Sequence, residues 1–203
     1  MKKIIFIVCV ALCLSLCGCS KKVTPTSVVD TYIKETKKQI NSGDLSSIYS
    51  EGEESSEEIT SSMDEELQKE LISCFGSFEY TINSETIDGD KATVNVTFKA
   101  YDFGMWIING LTEYFQKALA LAFTGATDEQ MDAIINEVFA EEFEKIKEKG
   151  KTKETNVDLV VSKEDGQWVF DEEANAVNLG DGATGGMISA ILSMSENLSA
   201  LGE

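Results

Sequence analysis

Carboxylates and cysteines are the groups in this chain that could do chemistry, because histidine is absent altogether. The 203 residues carry 36 Asp plus Glu against 17 Lys, with no Arg. Lacking His, the chain has neither the usual general base nor the commonest metal ligand. That sets aside Ser-His-Asp and Cys-His nucleophiles and His-built zinc sites. An enzyme built from these residues would need a buried carboxylate with a raised pKa. Asp102 is the candidate, beside Tyr101 where a strand ends, with Tyr80 as a hydrogen-bond donor. The plainer reading of Asp102 is an acid at a strand-to-helix junction. Between Glu51 and Glu66 stand eight acids and no base. The ordered alternation of a calcium loop, with its central Gly and terminal Glu, is missing there, so the run reads as a solvated face. No metal and no cofactor is expected.

Of the five cysteines, four crowd the start of the chain: Cys9, Cys13, Cys17 and Cys19. Lys2 and Lys3 precede an apolar run from Ile4 to Leu16, the charged and hydrophobic parts of a secretory signal. Thirteen helical residues would span about 20 Å, short of the ~30 Å hydrocarbon core, so a permanent membrane helix fits poorly. The run ends in Leu16-Cys17-Gly18-Cys19, which closely resembles the lipobox of bacterial lipoproteins, with small Gly18 just before the modified residue. Cys17 as the lipid site would put bulky Leu16 before the cut.

The resemblance implies cleavage between Gly18 and Cys19, with a diacylglyceryl group on the Cys19 sulfur. It also implies residence on the outer face of the cell membrane. Each buried CH₂ contributes about 0.8 kcal/mol, so two palmitate-type chains supply on the order of 20 kcal/mol. Lys21 and Lys22 could each add about 1 kcal/mol at an anionic leaflet. Cys74 is then the one cysteine left in the body, which excludes an intrachain disulfide; a lone Cys on the apolar side of a helix reads as a small hydrophobe.

Loss of Lys2 and Lys3 leaves a net charge of about −21 on a chain long enough for one domain with a real core. That balance argues against nucleic acid, which needs a cationic footprint. Missing Arg removes the bidentate phosphate clamp. The same charge holds the body off an anionic membrane, although salt screens the repulsion beyond about 8 Å.

The elements that must position these residues follow from periodicity. A tether over residues 19–26 leads to a helix with Thr24-Pro25-Thr26-Ser27 at its start and Val29, Tyr32, Ile33 and Ile40 on one stripe, stopped at Gly43. Leu45, Ile48 and Tyr49 suggest a short second turn. Met63, Leu67, Leu71 and Phe75 line another helix ending at Gly76. The period then falls to two. Phe78, Tyr80 and Ile82 alternate with polar residues, Asp88-Gly89-Asp90 turns the chain, and Ala92, Val94, Val96, Phe98 and Ala100 share one face.

Met105 to Phe123 reads as a buried core helix with Ile108, Leu111, Phe115, Ala118, Leu119 and Ala122 on its stripe. Thr127 and Gln130 form a capping box for the next helix, which carries Met131, Ile134, Ile135, Val138, Phe143 and Ile146. Val157, Leu159 and Val161, a turn at Glu164-Asp165-Gly166, and Gln167 to Asp171 form a second hairpin. Residues 27–179 are thus expected to form the domain. Gly180 to Gly186 reads as a Gly-rich linker. The rest, to 203, reads as an amphipathic tail helix bearing Met187, Ile191, Met194, Leu198 and Leu201, which covers the domain or meets a protein partner.

The expected class is α+β: a curved antiparallel sheet of two hairpins packed on helices, with an inserted helical hairpin. This order resembles bacterial lipoproteins with a cystatin-like or nuclear-transport-factor-2-like domain. The residues carrying it are the Pro-led helix ending in Asn41-Ser42-Gly43-Asp44 and the Gly166-x-Trp168 strand. It implies a sheet wrapped on a long helix. Three functions compete: a lipid-anchored, non-catalytic ligand- or partner-binding domain; a pocket enzyme using a buried carboxylate; and an interaction module acting through the tail helix.

Overall fold

The computed structural model describes residues 23–43, 65–123, 125 and 127–201. The signal segment with Cys19, the turn at Leu45 to Tyr49 and most of the acidic stretch 51–66 lie outside the described residues. Within them the fold is α+β, with six helices and one open four-stranded antiparallel sheet whose strands lie side by side in chain order.

Helix α1 (Pro25–Asn41) starts on a reciprocal box: the Thr24 hydroxyl accepts from Ser27 N while Ser27 Oγ accepts from Thr24 N. Thr24, three residues before Ser27, is therefore the cap, and Pro25 at the first helical position loses no needed donor. Val29, Ile33, Thr36 and Ile40 are buried at spacings of four, three and four. That stripe lies across all four strands. Helix α2 (Glu65–Phe75) buries Leu71 and Phe75 beside α1.

Strands β1 (Glu79–Asp88) and β2 (Lys91–Ala100) form the expected hairpin, with Gly89 at φ +61° in its turn and a bulge between Ile82 and Ser84. Ala92, Val94, Val96, Phe98 and Ala100 are buried. β2 also pairs with β3 (Lys153–Glu164) over ten residues, which joins the two hairpins into one sheet. The β3 to β4 (Gln167–Phe170) turn is Asp165-Gly166, both at positive φ, the two-residue turn that matches strand twist.

The opposite sheet face is polar. Asn83, Asn95, Thr97, Asn156 and Asp158 hydrogen-bond across three strands at 2.7 to 3.0 Å. One face of this sheet is core and the other is water-facing, as antiparallel sheets allow.

Because β4 has four residues, part of the β3 edge needs other partners. Helix α5 (Glu172–Thr184) supplies them. Buried Asn175 donates to Val160 O and accepts from Val160 N, both at 2.7 Å, and Asn178 donates to Asp158 O. Side-chain amides stand in for a strand there, satisfying backbone groups that would otherwise be orphaned.

Residues 180–186 are a correction to the expected linker. Gly180 to Thr184 are the buried last turns of α5, and Gly185 is its left-handed cap at φ +63°. These glycines supply closeness, not slack: a Cβ on Gly182 would sit 2.5 Å from the Phe98 ring. Helix α6 (Met187–Leu201) follows without a tether. Its Ser189 N and Oγ both donate to the Asp181 carboxylate, which ties it to α5. Domain and tail are one packed unit here.

Helices α3 (Phe103–Ala122) and α4 (Asp128–Lys149) connect β2 to β3 as the expected hairpin. α3 packs on α4 and α6, and the three form an arm at the C-terminal end of β2. Its root is an aromatic knot, with Phe103 against Phe75 (4.3 Å between centroids), Trp106 (5.9 Å) and Phe143 (6.3 Å). Trp106 Nε1 donates to Phe139 O at 3.0 Å. The reading of α3 as a buried core helix needs correction. Phe103, Trp106 and Ile107 are buried, whereas Ile108, Phe115 and Leu119 of the expected stripe face solvent. Among the described residues no helix is long and apolar enough to cross a membrane.

Candidate functional site

Among the described residues, two surface features are candidates for function: a concavity at the root of the helical arm, and a bare apolar strip along α3. The concavity, about 270 Å³, is lined by Asp102, Met105, Asn109, Glu142, Lys145 and Lys149, among others. Asp102 comes here because β2 ends at Ala100 and α3 begins at Phe103. Its Oδ1 accepts from Met105 N at 3.1 Å, the work of a helix cap.

Glu142, 5% exposed, accepts from Asn109 Nδ2 at 3.2 Å and pairs with Lys145. Both carboxylates therefore have partners already. Such a floor can hold a small polar ligand by charge and hydrogen bonds. No tyrosine is among its lining residues.

The candidate tyrosines stand elsewhere. Tyr80 OH donates to Asp30 Oδ1 on α1 at 2.7 Å, and its ring lies 6.1 Å from that of Phe98. Burial and the Asp30 carboxylate push the Tyr80 phenol well above its ordinary range. Burial also pushes Asp30 up, but hydrogen bonds from Lys34 and Tyr80 outweigh it and the carboxyl lies below its usual value. Tyr101 is half-buried with its ring at 6.2 Å from Phe103. Asp102 and Tyr80 thus serve separate contacts.

Cys74 is a free, half-buried thiol whose pKa is raised, chiefly by burial. Among the described residues no group of three or more His, Cys, Asp or Glu is placed to hold a metal ion. Gly18 and Cys19, the residues expected at the cleavage and lipidation point, lie outside the described residues. In the tail, Met187 is 2% exposed and belongs to the core, while Ile191 and Met194 are half-buried. Met187 contacts its own domain. Leu198 and Leu201 lie in the last turn, whose side chains are not described.

The α3 strip was not legible as a surface. Met105, Ile108, Thr112, Phe115 and Leu119 recur at spacings of three and four and all face solvent, with Phe115 54% and Leu119 63% exposed. Phe123, just past the helix, is 85% exposed. Glu113 and Lys117 are the only charges on α3; Lys117 pairs with Glu113 at 3.1 Å and with Glu137 of α4 at 2.9 Å. The strip is uncharged on a strongly acidic protein.

No family model matches the chain, and neither a curated protein nor a solved structure matches it.

Proposed function

We propose that this chain is a bacterial lipoprotein, held through Cys19 on the extracytoplasmic face of the membrane, whose folded domain binds a partner and does not catalyse a reaction. Leu16-Cys17-Gly18-Cys19 supports the anchor. The observation that carries the binding half is the uncharged apolar strip on α3, since exposed contiguous apolar surface on a soluble body marks an interaction site.

A helix laid across a four-stranded antiparallel sheet also fits the cystatin-like or nuclear-transport-factor-2-like resemblance, which we keep as part of this reading. The strip is a better contact surface than the tail, because Met187 is taken up by the core. The carboxylate-enzyme alternative finds less support: Asp102 caps α3, and Tyr80 is bonded to Asp30.

Cys19→Ser tests the anchor. The substituted protein is expected in the culture medium and the parent in the membrane fraction; retention of the substituted protein on membranes would contradict lipidation.

A further inference from the structure

We propose that the α3 strip is the seam of a homodimer, with the occupant a second copy of this chain; the inference rests on the binding-module reading. The first support is spacing. Met105, Ile108, Thr112, Phe115 and Leu119 follow the three-four alternation that presents a seam to one partner helix. The narrow a/d repeat suits a second helix better than a broad surface, which would need a wider stripe.

The second support is charge. This protein carries 36 acids against 17 bases, so two copies repel wherever charged faces meet. The α3 strip is where that repulsion is absent. Asn109, Leu111, Gln116 and Ala118 flank the seam without charge. Glu113 and Lys117, the charges on α3, pair with each other, and Lys117 also bonds Glu137 of α4, so these charges are engaged away from the seam residues. Neighbouring α6 has Glu196 as its single charged residue.

A partner chosen by charge would meet a charged strip, whereas a neutral, self-complementary one suits a second copy of this acidic chain. Closed twofold pairing has this property, because the same patch serves both copies. An anionic leaflet is the weaker occupant, since the strip offers no unpaired base to its headgroups. Two copies tethered to one membrane are also held at high effective concentration, which favours a modest seam.

The test places a photo-crosslinking phenylalanine analogue at Phe115 of the full-length protein in intact membranes, with the same probe at Ala120 as the off-seam control. Expected is an adduct of twice the chain's mass from position 115, with both halves identified as this chain, and little from position 120. Leu119→Glu should cut that adduct roughly tenfold or more, because it buries an unpaired carboxylate in the seam. At a dilution where both proteins are monomers its thermal unfolding should match the parent's, since Leu119 is 63% exposed on the single chain. An adduct to a different protein would overturn the homodimer and leave the binding reading standing. A lipid adduct would overturn both, as would no adduct. Equal dimer yields from positions 115 and 120, or a yield unchanged by Leu119→Glu, would mean random collision and overturn the seam.

Discussion

At the scale of single residues, the hydrogen bond between Tyr80 and Asp30 gives a side chain singled out by the sequence a contact within the fold. The phenol donates to a carboxylate on another element, joining α1 to β1. A hydrogen bond to a charged acceptor contributes roughly 1.5 to 3 kcal/mol when well shielded; with Asp30 about a third exposed, Tyr80→Phe should cost about 1 kcal/mol at pH 7. The bond favours the charged carboxylate and helps to lower its folded pKa. Its contribution is therefore complete above the ordinary carboxylate value of 3.8 and is lost as pH falls through the folded value. Urea unfolding of both proteins at pH 7 and near pH 2.5 should show the gap closing in acid. A gap that stays constant would mean Tyr80 acts through packing alone. Asp102 carries the same lesson: its position before a helix was legible, and the cap it forms is the ordinary use of an acid there.

At the scale of elements, the glycines of α5 decide between a hinge and a packed joint. A loose linker would gain stability from Gly182→Ala, by about 0.4 to 1 kcal/mol, through a stiffer unfolded chain. A packed joint would lose stability, because the new methyl meets the fully buried Phe98 ring at 2.5 Å. Overpacking of this kind costs about 1 to 3 kcal/mol, more than the helix-propensity gain of about 1. We expect Gly182→Ala to lower the unfolding midpoint, with Phe98→Leu in the same chain recovering part of the loss. Both strand pairs, their turns and the two long helices were legible because period and turn chemistry are local. Ala92 to Ala100 and Asp165-Gly166 carry their geometry in their own residue types. What was not legible depends on neighbours. Periodicity says which residues of α3 share a face, not whether another element covers it, so Phe115 and Leu119 read as core and yet face solvent. Glycine reads as freedom until the facing ring is known. Asn109 and Glu142, 33 residues apart, carry no spacing signal for their meeting at the concavity.

At the scale of the whole molecule, charge and the proposed attachment at Cys19 organise the protein. The sheet body is acidic, one sheet face is an open polar network, and the helical arm holds the neutral strip. Thr26 N and Oγ1 donate to Glu85 on β1, while the arm starts where β2 ends at Ala100. The start of α1 therefore lies near one part of the sheet, and the strip extends from its other end. A lipid at Cys19 would hold the acidic body to a surface that repels it, leaving the arm to meet its partner. The anchor is the claim on which this arrangement depends, and its chemistry can be read from one peptide. Tryptic digestion of the membrane-extracted protein should yield Cys19-Ser20-Lys21 as the amino-terminal peptide, its mass raised by a diacylglyceryl group. An unmodified Cys19, or a tryptic peptide running from Ile4 through Lys21, would contradict it.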